Sequence, residues 1–311
     1  MEMRPVRALL VYLLLVFVLG ALLAPCLFWV VQYLAQHFSG FSHMAANPFH
    51  RFVNRSLLGV AVIGLWPFMR ALGIGSWESV GFKRTPSTSR ELILGFSWGF
   101  ASLALVALIA FGFGARKINP NLTALLLVWG LLKALASATV VAILEELLFR
   151  GALLGSLRRI HPWLMALLVS SALYAIVHFF QRPQSPTDIH WFSGFEILGR
   201  MLHGFAEPEI LFPGFLTLTV AGAILGLAFL QTGLLYRSIG LHAGWIFWLK
   251  FYSLLSVEQP LSAKHRLFWG SGKLFDSMLA LTILLPVLAV FWRNYVRSHD
   301  SSMAKRSEKL A

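Results

Sequence analysis

Residues 142–150 read Ala142-Ile143-Leu144-Glu145-Glu146-Leu147-Leu148-Phe149-Arg150. Two adjacent carboxylates and a guanidinium interrupt an apolar stretch that extends from about residue 121 to residue 157. A run of that length and composition reads as a membrane-spanning helix, here long enough that it must tilt or project from the bilayer. An ionised carboxylate in hydrocarbon costs roughly 3 kcal/mol or more. Two neighbours also repel each other. A chain keeps such a pair in a membrane for chemistry, for ion conduction or for a structural ion pair.

The whole chain matches that reading. Of its 311 residues 58% are hydrophobic and only 13% charged, with a mean hydropathy of +0.72. The charged share is about half that of a soluble domain. The expected fold class is all-α, a polytopic bundle of about eight transmembrane helices. The spans fall near 8–34, 55–73, 91–114, 121–157, 162–180, 209–232, 236–256 and 274–294. Residues 1–119 then form N-terminal spans, 120–256 a core of spans that carries the paired carboxylates, and 257–311 a last span with a basic tail. Residues 1–7 followed by apolar sequence have a signal-peptide layout, but the apolar run is too long for a signal core and reads as an uncleaved first span.

The net charge of +13 excludes little by itself. The basic residues flank apolar spans, so they serve anchoring and orientation rather than nucleic-acid binding. Arg4 and Arg7, Arg70, Lys83, Arg84 and Arg90, Arg158 and Arg159, Arg237, and the tail from Arg293 to Lys309 fall on one side. Fewer basic residues lie opposite, among them Arg116, Lys117, Arg182 and Lys273. Both termini are therefore expected in the cytoplasm. The single cysteine, Cys26, excludes an intramolecular disulfide. The segment 181–208 places Trp191, Phe192, Ile197 and Met201 among polar residues and reads as an amphipathic helix in the outer interface.

Only Glu145 and Glu146 among the acidic residues lie well inside a span. His178 and His242 are the best placed histidines. The fourth and fifth spans turn near His161, with Glu145 161 − 145 = 16 residues before it and His178 178 − 161 = 17 after. At about 1.5 Å per residue both reach a similar depth. Glu146 and Arg150 are four residues apart, so they share a helix face and can pair. Glu145 points about 100° away, free to face a cavity. His242, in Gly240-Leu241-His242-Ala243-Gly244, is expected about one or two helical turns nearer the cytoplasm. Lys133 and Lys250 are charges buried by position.

These residues resemble the motifs of the CPBP intramembrane proteases, the family of the type II CAAX prenyl endopeptidases and the Abi bacteriocin-processing and self-immunity proteins. The first motif, Glu-Glu-x-x-x-Arg, is matched by Glu145, Glu146 and Arg150. The second, Phe-x-x-x-His, is matched by Tyr174 and His178, with tyrosine for phenylalanine. The third, His-x-x-x-Asn or Asp, is matched by His242 but ends on Ile246. Gly81-Phe82-Lys83-Arg84 before the third span is also similar. The resemblance covers roughly residues 120–256.

The resemblance implies an intramembrane endopeptidase in which Glu145 activates a water with help from His178, and His242 helps hold the oxyanion. Ile246 cannot donate a hydrogen bond, so another donor such as Trp245 or Ser253 replaces the family's asparagine, or the enzyme is weakened, or the protein is a non-catalytic relative. No cofactor is required by a carboxylate-activated water. Glu145, His178 and His242 nevertheless have the donor types zinc takes, although no His-Glu-x-x-His motif is present. The expected partners are a membrane-associated peptide or protein substrate and the lipid bilayer, with no nucleic acid. The expected location is a bacterial inner membrane, where a sorting tail, a leader or a peptide toxin suits better than a prenylated substrate. The alternatives are a non-catalytic scaffold or bacteriocin-immunity protein, and a proton-coupled transporter. Paired acids and histidines also build proton relays, but no inverted repeat supports transport.

Overall fold

A computed structural model describes residues 5–180, 184–186, 188–205, 208–270 and 274–308. Arg4, Arg182, Lys273 and Lys309, used above for orientation, lie outside them. Each predicted span holds a helix: α1 (Pro5–His37), α2 (Phe49–Ala71), α3 (Thr88–Gly112), α4 (Ala124–Glu146, continued to Leu157), α5 (Trp163–Val177), then α7 (Pro208–Thr232), α8 (Tyr236–Leu255) and α9 (Met278–Glu308). A shorter helix, α6 (Ser193–Met201), lies between α5 and α7. Six of the helices are long and apolar enough to cross a membrane; α5, with 15 residues, and α8 are not among them. The chain is an all-α, multi-pass integral membrane protein. Two three-residue strands, β1 (Arg116–Ile118) and β2 (Ser256–Glu258), pair antiparallel. They escape the sequence reading because so short a segment carries no periodicity.

The chain divides into two compact units. The first comprises Met1–Gly75 and Phe179–Glu207. Within it, Ala24 and Val31 of α1, Phe49, Phe52 and Val53 of α2, and Ile197 and Met201 of α6 are buried together. Gly194 lets α6 approach the Ala21 backbone where any Cβ would collide with the carbonyl. The amphipathic helix predicted within 181–208 is thus α6, with Trp191, Phe192 and Leu202 exposed around it.

The second unit comprises Ser76–His178 and Pro208–Ala311. Its organising contact is the crossing of α3 and α8. A Cβ at Gly95 would strike the Arg237 carbonyl, one at Gly99 the Leu241 carbonyl, and one at Gly240 the Leu92 carbonyl. Gly244 meets Phe96 and Phe100 in the same way. Two small-xxx-small faces therefore bring the backbones into contact, as lipid-embedded helices require when no hydrophobic effect drives them together. Arg237 pairs with Glu91 at one end of the crossing, and Trp245 donates to Ser102 Oγ at 2.9 Å further along. Gly99→Leu is expected to wedge the helices apart and cost about 1–3 kcal/mol or more. Thermal unfolding in detergent reads this as a lower midpoint.

Lys133 and Lys250 lie on the outer surfaces of α4 and α8. One expectation is corrected here. His242 is not displaced toward the cytoplasm. The turn before α8 is drawn into the bundle: the Leu235 N–H donates to Gly81 O, and Leu235 lies against Gly151. Glu145 is 151 − 145 = 6 residues back from Gly151, and His242 is 242 − 235 = 7 residues on from Leu235. The two side chains therefore meet at one level.

Candidate active site

The site is assembled from α4, α5 and α8. Directly after Glu146, α4 widens into a π-helix over Leu147–Leu154. Such wide turns recur at functional sites. Arg150 lies within it, and its Nη1 donates to Glu146 Oε1 at 2.9 Å. A second donor, Nη2, reaches the carbonyl of Gly222 on α7 at 3.2 Å. Gly222 carries no side chain there, and a Cβ would press on Ser171. The guanidinium also lies over the Tyr174 ring, 4.4 Å from its centroid. Glu146 is 0% and Arg150 2% exposed, so the pair is wholly desolvated and depends on these extra partners.

His242 joins the pair. Its Nδ1 lies 2.8 Å from Glu146 Oε1, so that single oxygen accepts from both the imidazole and the guanidinium. Glu146 is thus more than an ion-pair partner: it orients a histidine on another helix. No signal in the chain reveals this link, because α8 is distant in sequence and its depth depends on the inserted turn.

Glu145 points to the other side. Its Oε2 lies 3.4 Å from His178 Nε2 and 3.8 Å from His242 Nε2. Its side chain is 27% exposed, against none for Glu146. Oε2 itself is buried and takes no hydrogen bond among the described residues. His178 caps the C-terminus of α5, and its Nδ1 lies 2.7 Å from the Tyr174 carbonyl. A carbonyl only accepts, so Nδ1 carries the proton. In the neutral ring the Nε2 lone pair then faces Glu145. Carboxylate and imidazole present two acceptors side by side.

Tyr174 packs at the centre. Its ring meets Phe149 edge-on at 5.3 Å, and its Oη lies 3.3 Å from His242 Nε2. Ile246, one turn beyond His242, is buried. The two substitutes expected for the missing asparagine are committed elsewhere. Trp245 Nε1 donates to Ser102 Oγ, and the exposed Ser253 hydroxyl donates to Lys250 O at 2.8 Å. Their sequence proximity to Ile246 made them candidates, but their directions on α8 exclude both. Among the described residues no three His, Cys, Asp or Glu side chains form a group arranged to hold a metal ion.

A carboxylate and two imidazoles thus meet inside the bundle of a helical membrane protein. The comparison with known families makes this specific. Residues 127–248 match the family described as Type II CAAX prenyl endopeptidase Rce1-like, the family that the chain's motifs resemble. That segment contains every residue of the site described above. No curated protein and no solved structure matches the chain.

Proposed function

We propose that this protein is an intramembrane endopeptidase that hydrolyses a peptide bond of a membrane-associated protein or peptide through a glutamate-activated water. The observation that carries the proposal is the buried Glu145 Oε2, which lies 3.4 Å from His178 Nε2 and takes no hydrogen bond among the described residues. Two adjacent acceptors suit one water that donates a hydrogen to each. Its remaining lone pair is then directed at a substrate carbonyl carbon.

As the water oxygen forms a bond to that carbon, its proton passes to Glu145, and the carbonyl π electrons move onto oxygen. His242, with Nδ1 donating to Glu146, donates from Nε2 to the oxyanion when the ring carries both protons. Collapse of the tetrahedral intermediate breaks the C–N bond, and Glu145 returns the proton to the departing amine. Glu146 and Arg150 take no part in bond making. They hold His242 and the π-turn in place.

The test is cleavage in proteoliposomes of an internally quenched peptide ending in Cys-aliphatic-aliphatic-X, prenylated in one arm and unprenylated in the other. Cleavage by the wild type and none by Glu145→Gln supports the reading. A preference for the prenylated arm assigns the substrate class of the family's description, and equal rates favour a tail or leader peptide. If neither peptide is cut, terminal-peptide mapping of membranes with and without the protein is decisive. Identical profiles there refute the endopeptidase and leave the scaffold or immunity reading, which Ile246 favours.

A further inference from the structure

The sequence departs from the family motifs at two positions, and the structure brings the consequences of both to one point. Position 246 has lost a hydrogen-bond donor, and position 174 has gained one. We propose that the Tyr174 hydroxyl is the second oxyanion donor of this enzyme, replacing the asparagine that Ile246 displaces. The inference rests on the hydrolytic reading above.

Three observations support it. First, Tyr174 Oη lies 3.3 Å from His242 Nε2, the other donor. Donors that close can share one oxygen at about 2.7–3.1 Å from each. Second, the ring is held rigidly: Arg150 covers one face, Phe149 meets it edge-on, and His178 packs 4.4 Å away. With the side chain 3% exposed, the hydroxyl works in a dry environment, where a hydrogen bond to developing charge is strongest. Third, the two donors that the sequence suggests beside position 246 are engaged elsewhere, Trp245 with Ser102 and Ser253 with the Lys250 carbonyl.

In the resting site the O–H points to the His242 Nε2 lone pair. The reactive form carries a proton on Nε2, taken up from water before the carbonyl is attacked and retained through the turnover, so that acceptor is gone. Rotation about the Cζ–O bond then turns the O–H toward the oxygen that Nε2–H also addresses. Tyr174 gives no proton away; it contributes only a hydrogen bond as negative charge builds on the former carbonyl oxygen.

The test compares wild type, Tyr174→Phe, Tyr174→Phe/Ile246→Asn and Glu145→Gln on the quenched peptide that the wild type cuts. Phenylalanine keeps the ring and is the residue the family motif carries, so folding is retained. Tyr174→Phe is expected to lower kcat by about 100- to 1,000-fold with KM unchanged. The double variant exchanges the donor positions and is expected to regain about tenfold or more of that loss. A Tyr174→Phe rate equal to wild type overturns the assignment, and so does a loss that the added asparagine does not relieve. If wild type itself cuts no faster than Glu145→Gln, the hydrolytic reading has failed and this inference falls with it. A wild type that cuts while Tyr174→Phe cuts equally well overturns the role of the tyrosine alone.

Discussion

Glu145→Gln is expected to remove peptide hydrolysis, with a loss on the order of 100- to 10,000-fold, while the thermal unfolding midpoint stays within a few degrees of wild type. The amide is the same size as the carboxylate, and its oxygen still accepts from a water. It cannot take the proton as the water oxygen bonds to carbon. Stability should barely change because Glu145 is partly exposed and makes no hydrogen bond that holds the fold. Glu145→Asp refines the prediction. It retains the proton acceptor but withdraws it by one methylene from His178, so activity should fall strongly without vanishing. A Glu145→Gln protein that still cuts the quenched peptide at the wild-type rate would remove Glu145 from the mechanism altogether.

The second large effect concerns the neighbouring residue and has the opposite character. Arg150→Met is expected to destabilise the protein by about 3–5 kcal/mol, because it leaves a carboxylate with no exposure to solvent and no guanidinium. His242 Nδ1 would remain its one partner, and the Gly222 carbonyl would lose its donor too. Glu146→Gln/Arg150→Met should be more stable than Arg150→Met alone. The double change removes both charges and keeps an amide oxygen for His242. Unfolding midpoints of the wild type, both single variants and the double variant form a cycle whose coupling measures the pair. Zero coupling would show that Arg150 serves only as packing and as a donor to Gly222. The adjacent glutamates thus separate cleanly: loss of one costs catalysis, and disturbance of the other costs the fold.

Much of this was legible in the chain. The all-α membrane class followed from apolar runs that exceed the thickness of a bilayer. The Glu146–Arg150 pair followed from four-residue spacing, because within one helix the register is set by covalent geometry. The proximity of Glu145 to His178 was arguable because a short hairpin ties the two helices at a known turn. Beyond such local ties the reading faltered. His242 was assigned the wrong depth because nothing in the sequence reveals that Leu235 is drawn in against Gly81 and Gly151. Trp245 and Ser253 were sensible donors by position, but direction around a helix is decided by what it packs against.

The amino-acid order alone determined that this is a membrane-embedded helical protein with a Glu-Glu-x-x-x-Arg helix and two later histidines. Those features depend on hydrophobicity and on the fixed rise and twist of a helix, which act over a few residues. Tertiary packing alone decided that one oxygen of Glu146 serves both Arg150 and His242, and that the Tyr174 hydroxyl lies beside the histidine. Those contacts join helices far apart in the chain. They exist only because glycine faces on α3 and α8, and Gly222 on α7, allow the backbones to approach closely enough for the side chains to meet.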